Sequence, residues 1–145
     1  MPGENLRKLH LFVGLAGVIA FVLTGQYMHW ELNHLRGMAD GPRLFYRTTH
    51  LYLMWASVLN LVLGCFLVRP QSSLNRGLQL LASIAVLVAP ILICASFFLD
   101  SFNAELRRPM ARYACFLAFG GVLGLLLSWF LSGTRRRTAN NPDPA

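Results

Sequence analysis

The sequence predicts an all-α integral membrane protein, an up-down bundle of four transmembrane helices joined by short loops. Of its 145 residues, 55% are hydrophobic and only 13% are charged, about half the charged fraction of a soluble domain. The mean hydropathy is +0.50. The chain also holds four separate apolar runs, each at least about 20 residues long, the length with which a helix crosses a bilayer core. Together these features exclude a soluble domain and a disordered chain.

The four runs give the predicted helices in chain order. They span about residues 9–28, 44–68, 77–99 and 110–131, and none of them contains Asp or Glu. Lipid offers no hydrogen bonds to an exposed backbone, and the runs lack the strict alternation of barrel strands, so helices are expected. They form one membrane domain over residues 1–132. Residues 133–145, which are basic and then rich in Asn and Pro, predict a disordered C-terminal tail.

The distribution of charge predicts how the chain crosses the membrane. Short connections make consecutive helices antiparallel neighbours, and four helices place both termini on one side. Basic residues on that side number seven: Arg7, Lys8, Arg69, Arg76, Arg135, Arg136 and Arg137. The other side carries six, mixed with four carboxylates. The excess predicts cytoplasmic termini in a multi-pass protein of a bacterial inner membrane. The net charge of +7 lies between the apolar runs rather than along one face, which favours contact with the lipid bilayer over nucleic acid.

Polar and small residues recur every three or four positions and predict which helix faces turn inward. In the first helix the stripe consists of His10, Gly14, Gly17, Phe21, Thr24 and Met28. In the second it consists of Arg47, His50, Leu53, Ser57, Asn60 and Gly64. In the fourth, small residues stand at Gly120, Gly124 and Ser128. Asn60 is expected to bond to another helix, and Pro90 to kink the third helix where a neighbour replaces the lost hydrogen bond.

The seam between the first two helices is the predicted place for any cofactor. His50 lies about 9 Å along its helix from Leu44, and an ionisable group at that depth suggests a function. A haem b would take His50 as an axial ligand, Met28 or His29 as the opposite ligand, and Arg47 beside its propionates. A second version is a transition metal held by His29, His34 and His50.

A purely structural interpretation stands beside the cofactor hypothesis. An intramembrane histidine often bonds to a neighbouring helix, and an arginine near a helix end reaches out to the headgroups. The three cysteines fall in different predicted helices without a C-x-x-C pair, and the sequence has no evident catalytic constellation. Two hypotheses therefore stay open. The first is a non-enzymatic accessory or scaffold subunit of a membrane complex, or a homo-oligomer. The second is a single-haem or metal-binding membrane redox protein that uses His50.

Overall fold

The chain folds into four long α-helices, as predicted. The computed structural model describes residues 2–67, 73–100 and 108–139, with side chains at 4–67, 74–100 and 108–131. Over these residues the helices, without any strand, are α1 (Pro2–Trp30), α2 (Asp40–Phe66), α3 (Ser73–Leu99) and α4 (Pro109–Ala139). All four are long and apolar enough to cross a membrane. The all-α four-helix class and the multi-pass membrane character are thereby confirmed.

The helices extend beyond the apolar runs at several ends. α1 begins at Pro2, where residues outside the apolar run still favour a helix and Lys8 pairs with Glu4 at 2.8 Å. α4 continues to Ala139 and so includes residues 135–137, which the sequence analysis assigned to a disordered tail. Arginine is a good helix former, so the helix need not end where the hydrophobic residues do. The rest of the tail, residues 140–145, lies outside the described residues, as does most of the second and third loops.

The helices pack as two antiparallel pairs joined through the middle of the bundle. α1 lies along α2, α3 lies along α4, and contacts of α2 with α3 join the pairs. At one end of the bundle Arg7 of α1 donates hydrogen bonds to the carbonyls of Gly64 and Cys65, at the end of α2. At the other end Arg108, just before α4, bonds to Thr48 in the early part of α2. The start of α1 thus lies beside the end of α2, and the starts of α2 and α4 lie together, as in an up-down bundle.

The connection between α1 and α2 is a compact turn that covers one end of the bundle. A 3₁₀ turn spans Asn33–Leu35, and the backbone takes positive φ angles at these three residues and at Gly37. The turn places Leu35 in a buried cluster with Tyr46 and Phe97. This apolar plug ties the turn to α2 and α3, so the end of α1 has a defined position beside the start of α2.

The predicted inward stripes of α1 and α2 are buried over most of their length. The buried members are His10, Gly14, Gly17 and Thr24 in α1, and Leu53, Ser57, Asn60 and Gly64 in α2. Arg47, at the outer end of the α2 stripe, is exposed. The expected alignment of the first two helices is therefore present, with the polar residues of the stripes lying between them.

The predicted contact face of α4 is confirmed at Gly124 and Ser128 and wrong at Gly120. Gly120 is exposed, and a Cβ built on it would meet nothing within 4 Å. The face that packs on α3 also carries Ala111, Ala114, Ala118 and Gly121, all buried. A spacing of four residues advances about 40° beyond a full helical turn at each step. A pattern of three such positions therefore drifts across the surface, whereas the mixed spacing of three and four stays on one face.

Candidate functional site

A chain of hydrogen bonds centred on Asn60 links α1, α2 and α3. Asn60 Nδ2 lies 2.9 Å from the carbonyl of Ala56 and 3.1 Å from that of Val86. Because both carbonyls only accept, the atom facing them is the amide nitrogen, and Oδ1 faces His10. The distance from Oδ1 to His10 Nδ1 is 2.7 Å. His10 therefore donates from Nδ1, and in the neutral ring its lone pair lies on Nε2.

The bond to Val86 compensates for the proline in α3. In a regular helix the carbonyl of Val86 would accept a hydrogen bond from the N–H four residues later, but that residue is Pro90, which has none. Asn60 donates to this carbonyl from across the interface between α2 and α3. This one contact confirms two predictions from the sequence. Asn60 bonds to another helix, and a neighbouring helix supplies the hydrogen bond that Pro90 cannot form.

His10 is the member of the seam whose role the sequence analysis missed. Its side chain is 0% exposed, and Nε2 has no hydrogen-bond partner among the described residues. The signal in the sequence was a lone histidine on the small-residue stripe, one turn before Gly14. An imidazole held through its Nδ1–H resembles the histidines that bind metals through Nε2. Its complete enclosure nevertheless leaves no access for a haem at this position.

His50 lies in the same seam but at its open edge. The hydroxyl of Thr24 donates to the carbonyl of Phe21 at 3.0 Å, so its oxygen accepts the Nδ1–H of His50 at 2.9 Å. The imidazole also stacks on the ring of Phe21, with centroids 4.0 Å apart. A Cβ at Gly25 would lie 3.6 Å from Nε2 of His50. The ring is thus fixed on one side, and its Cε1–Nε2 edge lies beside Gly25.

A cleft of about 460 Å³ adjoins this edge of His50. Its lining residues are Phe21, Val22, Gly25, Gln26, His29, Trp30 and His50. Two of the predicted ligands, His29 and His50, therefore share one cleft. The absence of a side chain at Gly25 leaves room next to the imidazole, and an aromatic ligand could contact Trp30 at the rim.

The other predicted site residues are placed less favourably. Met28 packs against the plug formed by Leu35, Tyr46 and Phe97 rather than lining the cleft. Arg47 is exposed and forms no hydrogen bond or ion pair with a described residue.

The three histidines proposed as metal ligands are only partly brought together. The rings of His29 and His34 lie 4.0 Å apart, and His29 shares the cleft with His50. Within the described part of the chain, no group of three or more His, Cys, Asp or Glu residues is arranged to hold a metal ion. The geometry therefore offers one fixed imidazole, His50, with a second histidine nearby.

No family model, curated protein or solved structure matches the sequence.

Proposed function

We propose that the chain is a non-enzymatic accessory or scaffold protein of the membrane, acting as a subunit of a larger complex or as a homo-oligomer. The hydrogen-bond chain through His10, Asn60 and the carbonyl of Val86 carries this proposal. Polar groups at the centre of a transport or catalytic path contact water or substrate, whereas these fully buried groups bond to neighbouring helices. Their arrangement favours a bundle whose interior serves stability and whose outer surface makes the functional contacts.

The outer surface offers large apolar side chains on several helices. Phe12 on α1, Phe66 on α2 and Phe116 on α4 are exposed by 68–76%. Such residues suit lipid and equally suit another transmembrane helix, whose packing depends on shape because lipid removes the hydrophobic driving force. The proposal places a second membrane chain on part of this surface.

Photo-crosslinking in native membranes tests this proposal. A photoreactive amino acid replaces Phe12 or Phe116 in separate variants, and a third variant carries it at the exposed Trp129 on α4. We expect a defined adduct with a second copy or a partner from one face and lipid adducts from the others. Exclusively monomeric protein at every exposed position, together with a monomer after mild solubilisation, would overturn the proposal.

A second candidate function rests on the His50 cleft. We propose as the alternative that His50 binds a haem b or a transition metal, with His29 as the second ligand and Arg47 beside the propionates. The supporting observation is the imidazole of His50, fixed by Thr24, which lines one cleft together with His29 and Gly25. A bound haem would supply one-electron chemistry, and the chain would contribute the ligand, its orientation through Thr24 and an apolar wall.

Absorption spectra separate this alternative from a purely structural role of His50. Detergent-purified protein is measured oxidised and dithionite-reduced, with metal analysis on the same sample and after addition of haem. The alternative predicts a Soret band that His50→Ala removes and His34→Ala keeps, because His34 is exposed and does not line the cleft. A colourless, metal-free protein that also fails to take up added haem would exclude it.

We also propose that both termini face the cytoplasm of a bacterial inner membrane. The excess of basic residues on their side supports this orientation, and residues 135–137 extend α4 directly beyond its apolar part. Fusions at the C-terminus test the proposal. We expect a fluorescent protein to be fluorescent there and a periplasmic phosphatase to be inactive, and the reverse result would contradict this orientation.

A further inference from the structure

The cleft beside His50 runs along α1 from the apolar part of the helix to its last residue. Phe21 and Val22 line it toward the membrane interior, and Trp30, where α1 ends, lines its other end. Phe21 and Trp30 lie nine residues apart in the sequence, which corresponds to about 14 Å along a helix. The cleft therefore passes from the depth of the acyl chains toward the membrane interface, where tryptophan is enriched.

The cleft is polar near the interface but carries no permanent charge. Gln26 and His29 line this end, and none of the lining residues is Lys, Arg, Asp or Glu. A phosphate headgroup would find no arginine or lysine to pair with here. The lining instead suits a neutral ligand with an apolar body and a few hydrogen-bonding groups.

The hydrogen bond of His50 to Thr24 decides which kind of polar group the imidazole can bind. The Thr24 hydroxyl donates to the carbonyl of Phe21 and accepts the Nδ1–H of His50. In a neutral imidazole with its proton on Nδ1, Nε2 is an acceptor. The stacked ring of Phe21, with centroids 4.0 Å apart, holds the imidazole in this orientation. A ligand that bonds to Nε2 must therefore be a donor, as a hydroxyl group is.

Gly25 and three aromatic rings give the cleft space and flat surfaces. A Cβ at Gly25 would lie 3.2 Å from Cε1 of His50, so any side chain there would crowd the imidazole. The rings of His29 and Trp30 lie edge to face, with centroids 6.2 Å apart, and Phe21 lines the opposite end. Aromatic side chains favour contact with other aromatic rings. The cleft therefore has the features that bind an aromatic ring with a hydroxyl group.

We propose that this cleft binds the ring of a lipid-soluble hydroquinone that enters from the bilayer. One ring hydroxyl donates to Nε2 of His50, and the ring lies beside Gly25 in contact with Trp30. The amide of Gln26 bonds to the second hydroxyl, and the apolar tail follows Val22 into the lipid. The proposal goes beyond the scaffold role, which needs no ligand in this cleft. It competes with haem for the same imidazole nitrogen.

Fluorine NMR of the full chain labelled with 5-fluorotryptophan, in detergent micelles, tests the proposal. The labels stand at Trp30, Trp55 and Trp129, of which Trp30 alone lines the cleft. The probes are decylhydroquinone, kept reduced under anaerobic conditions, and its dimethyl ether, which has the same ring and tail but no O–H donor. We expect the hydroquinone to shift the Trp30 signal selectively. It should bind about five-fold more tightly than the ether, the effect of one hydrogen bond.

Two variants separate the hydrogen bond from the space in the cleft. His50→Phe keeps a ring but removes the acceptor, so we expect it to abolish the preference for the hydroquinone while the ether binds as before. Gly25→Leu fills the space beside the imidazole and should prevent binding of both probes. Gly120→Leu is its matched control, because its Cβ would meet nothing within 4 Å. Unchanged signals of Trp55 and Trp129 show that a variant has kept its fold.

Several outcomes would overturn the proposal. Equal affinity for the two probes would show that His50 accepts no hydrogen bond, and equal shifts of all three signals would show mere partition into the micelle. Binding that survives Gly25→Leu would place the ligand elsewhere. A Soret band of the purified protein that the hydroquinone leaves unchanged would assign His50 to haem. None of these results bears on the scaffold role, because the crosslinking positions Phe12 and Phe116 do not line this cleft.

Discussion

The two helix pairs of the bundle are held together in different ways. Between α1 and α2, glycines allow the backbones to approach, and polar side chains bond across the contact, as His10 does to Asn60. Between α3 and α4, small residues dominate the contact. A Cβ on Gly121 would lie 2.7 Å from the carbonyl oxygen of Ala82, and Ala118 is completely buried.

This difference shows where a membrane bundle needs polar groups. Apolar helices gain no hydrophobic stabilisation by leaving lipid for one another, so close packing of small residues is sufficient for α3 and α4. Asn60 lies where the backbone requires a donor, beside the carbonyl that Pro90 leaves free on α3. We therefore expect the α3–α4 contact to be sensitive to added side-chain volume and the α1–α2–α3 junction to be sensitive to the loss of a hydrogen-bond donor.

The largest expected effect comes from adding volume between α3 and α4. Gly121→Leu places side-chain atoms against the backbone of Ala82 and Val86, and we expect it to lower the free energy of unfolding by about 3 kcal/mol. Gly120→Leu is the matched control, since its Cβ would meet nothing within 4 Å, and it should change stability little. Unfolding equilibria in mixed micelles measure both. Similar losses for the two neighbouring glycines would contradict the assigned contact face.

The next effect concerns the donor at the junction of three helices. Asn60→Leu removes the partners of His10 Nδ1 and of the Val86 carbonyl, and we expect a loss of about 2 kcal/mol. Pro90→Ala restores an N–H within α3 for the same carbonyl. In that background the loss from Asn60→Leu should fall to about 1 kcal/mol. A double-mutant cycle of unfolding free energies measures the coupling. Independent, additive effects would show that Asn60 does not compensate for Pro90.

The smallest expected effect concerns a hydrogen bond between α3 and α4, where we expect hydrogen bonds to contribute little to stability. The hydroxyl of Ser128 donates to the carbonyl of Asn75 at 3.2 Å. We expect Ser128→Ala to cost about 0.6 kcal/mol, the average for a hydrogen bond between membrane helices. The same unfolding assay applies. A loss as large as that of Asn60→Leu would remove the distinction between the two pairs.

Most of the fold could be predicted from the sequence because lipid restricts the choices of the backbone so strongly. The lengths of the apolar runs gave the four helices, and the stripes gave the facing sides of α1 and α2. The contact face of α4 could be read only in part from glycine and serine, because buried alanines such as Ala114 and Ala118 make up much of that face. The end of α4 was also predicted too early, because the arginines at residues 135–137, which follow its apolar run, still favour a helix.

The site was only partly predictable, because the periodicity of polar and small residues predicts which side of a helix is buried but not which residues of another helix it contacts. It placed His50 and Thr24 on facing stripes, which the structure joins by a hydrogen bond. It could not show that Met28 turns into the plug, since that depends on the positive-φ turn at residues 33–35. The hydrogen bond from Arg108 to Thr48 on α2 was not predicted, for a similar reason. It links positions about 60 residues apart, with no periodic relation between them.

The Asn60 junction also has a consequence for the order in which the protein is made. α1 and α2 leave the ribosome first, and at that stage the amide of Asn60 already has acceptors and donors within reach, the Ala56 carbonyl and His10. The first hairpin can therefore enter lipid with most of its central polar groups satisfied. When α3 follows, its unpaired carbonyl at Val86 finds an amide N–H already in place. The first two helices thus already present the hydrogen-bond donor that α3, the helix with Pro90, needs when it packs against them.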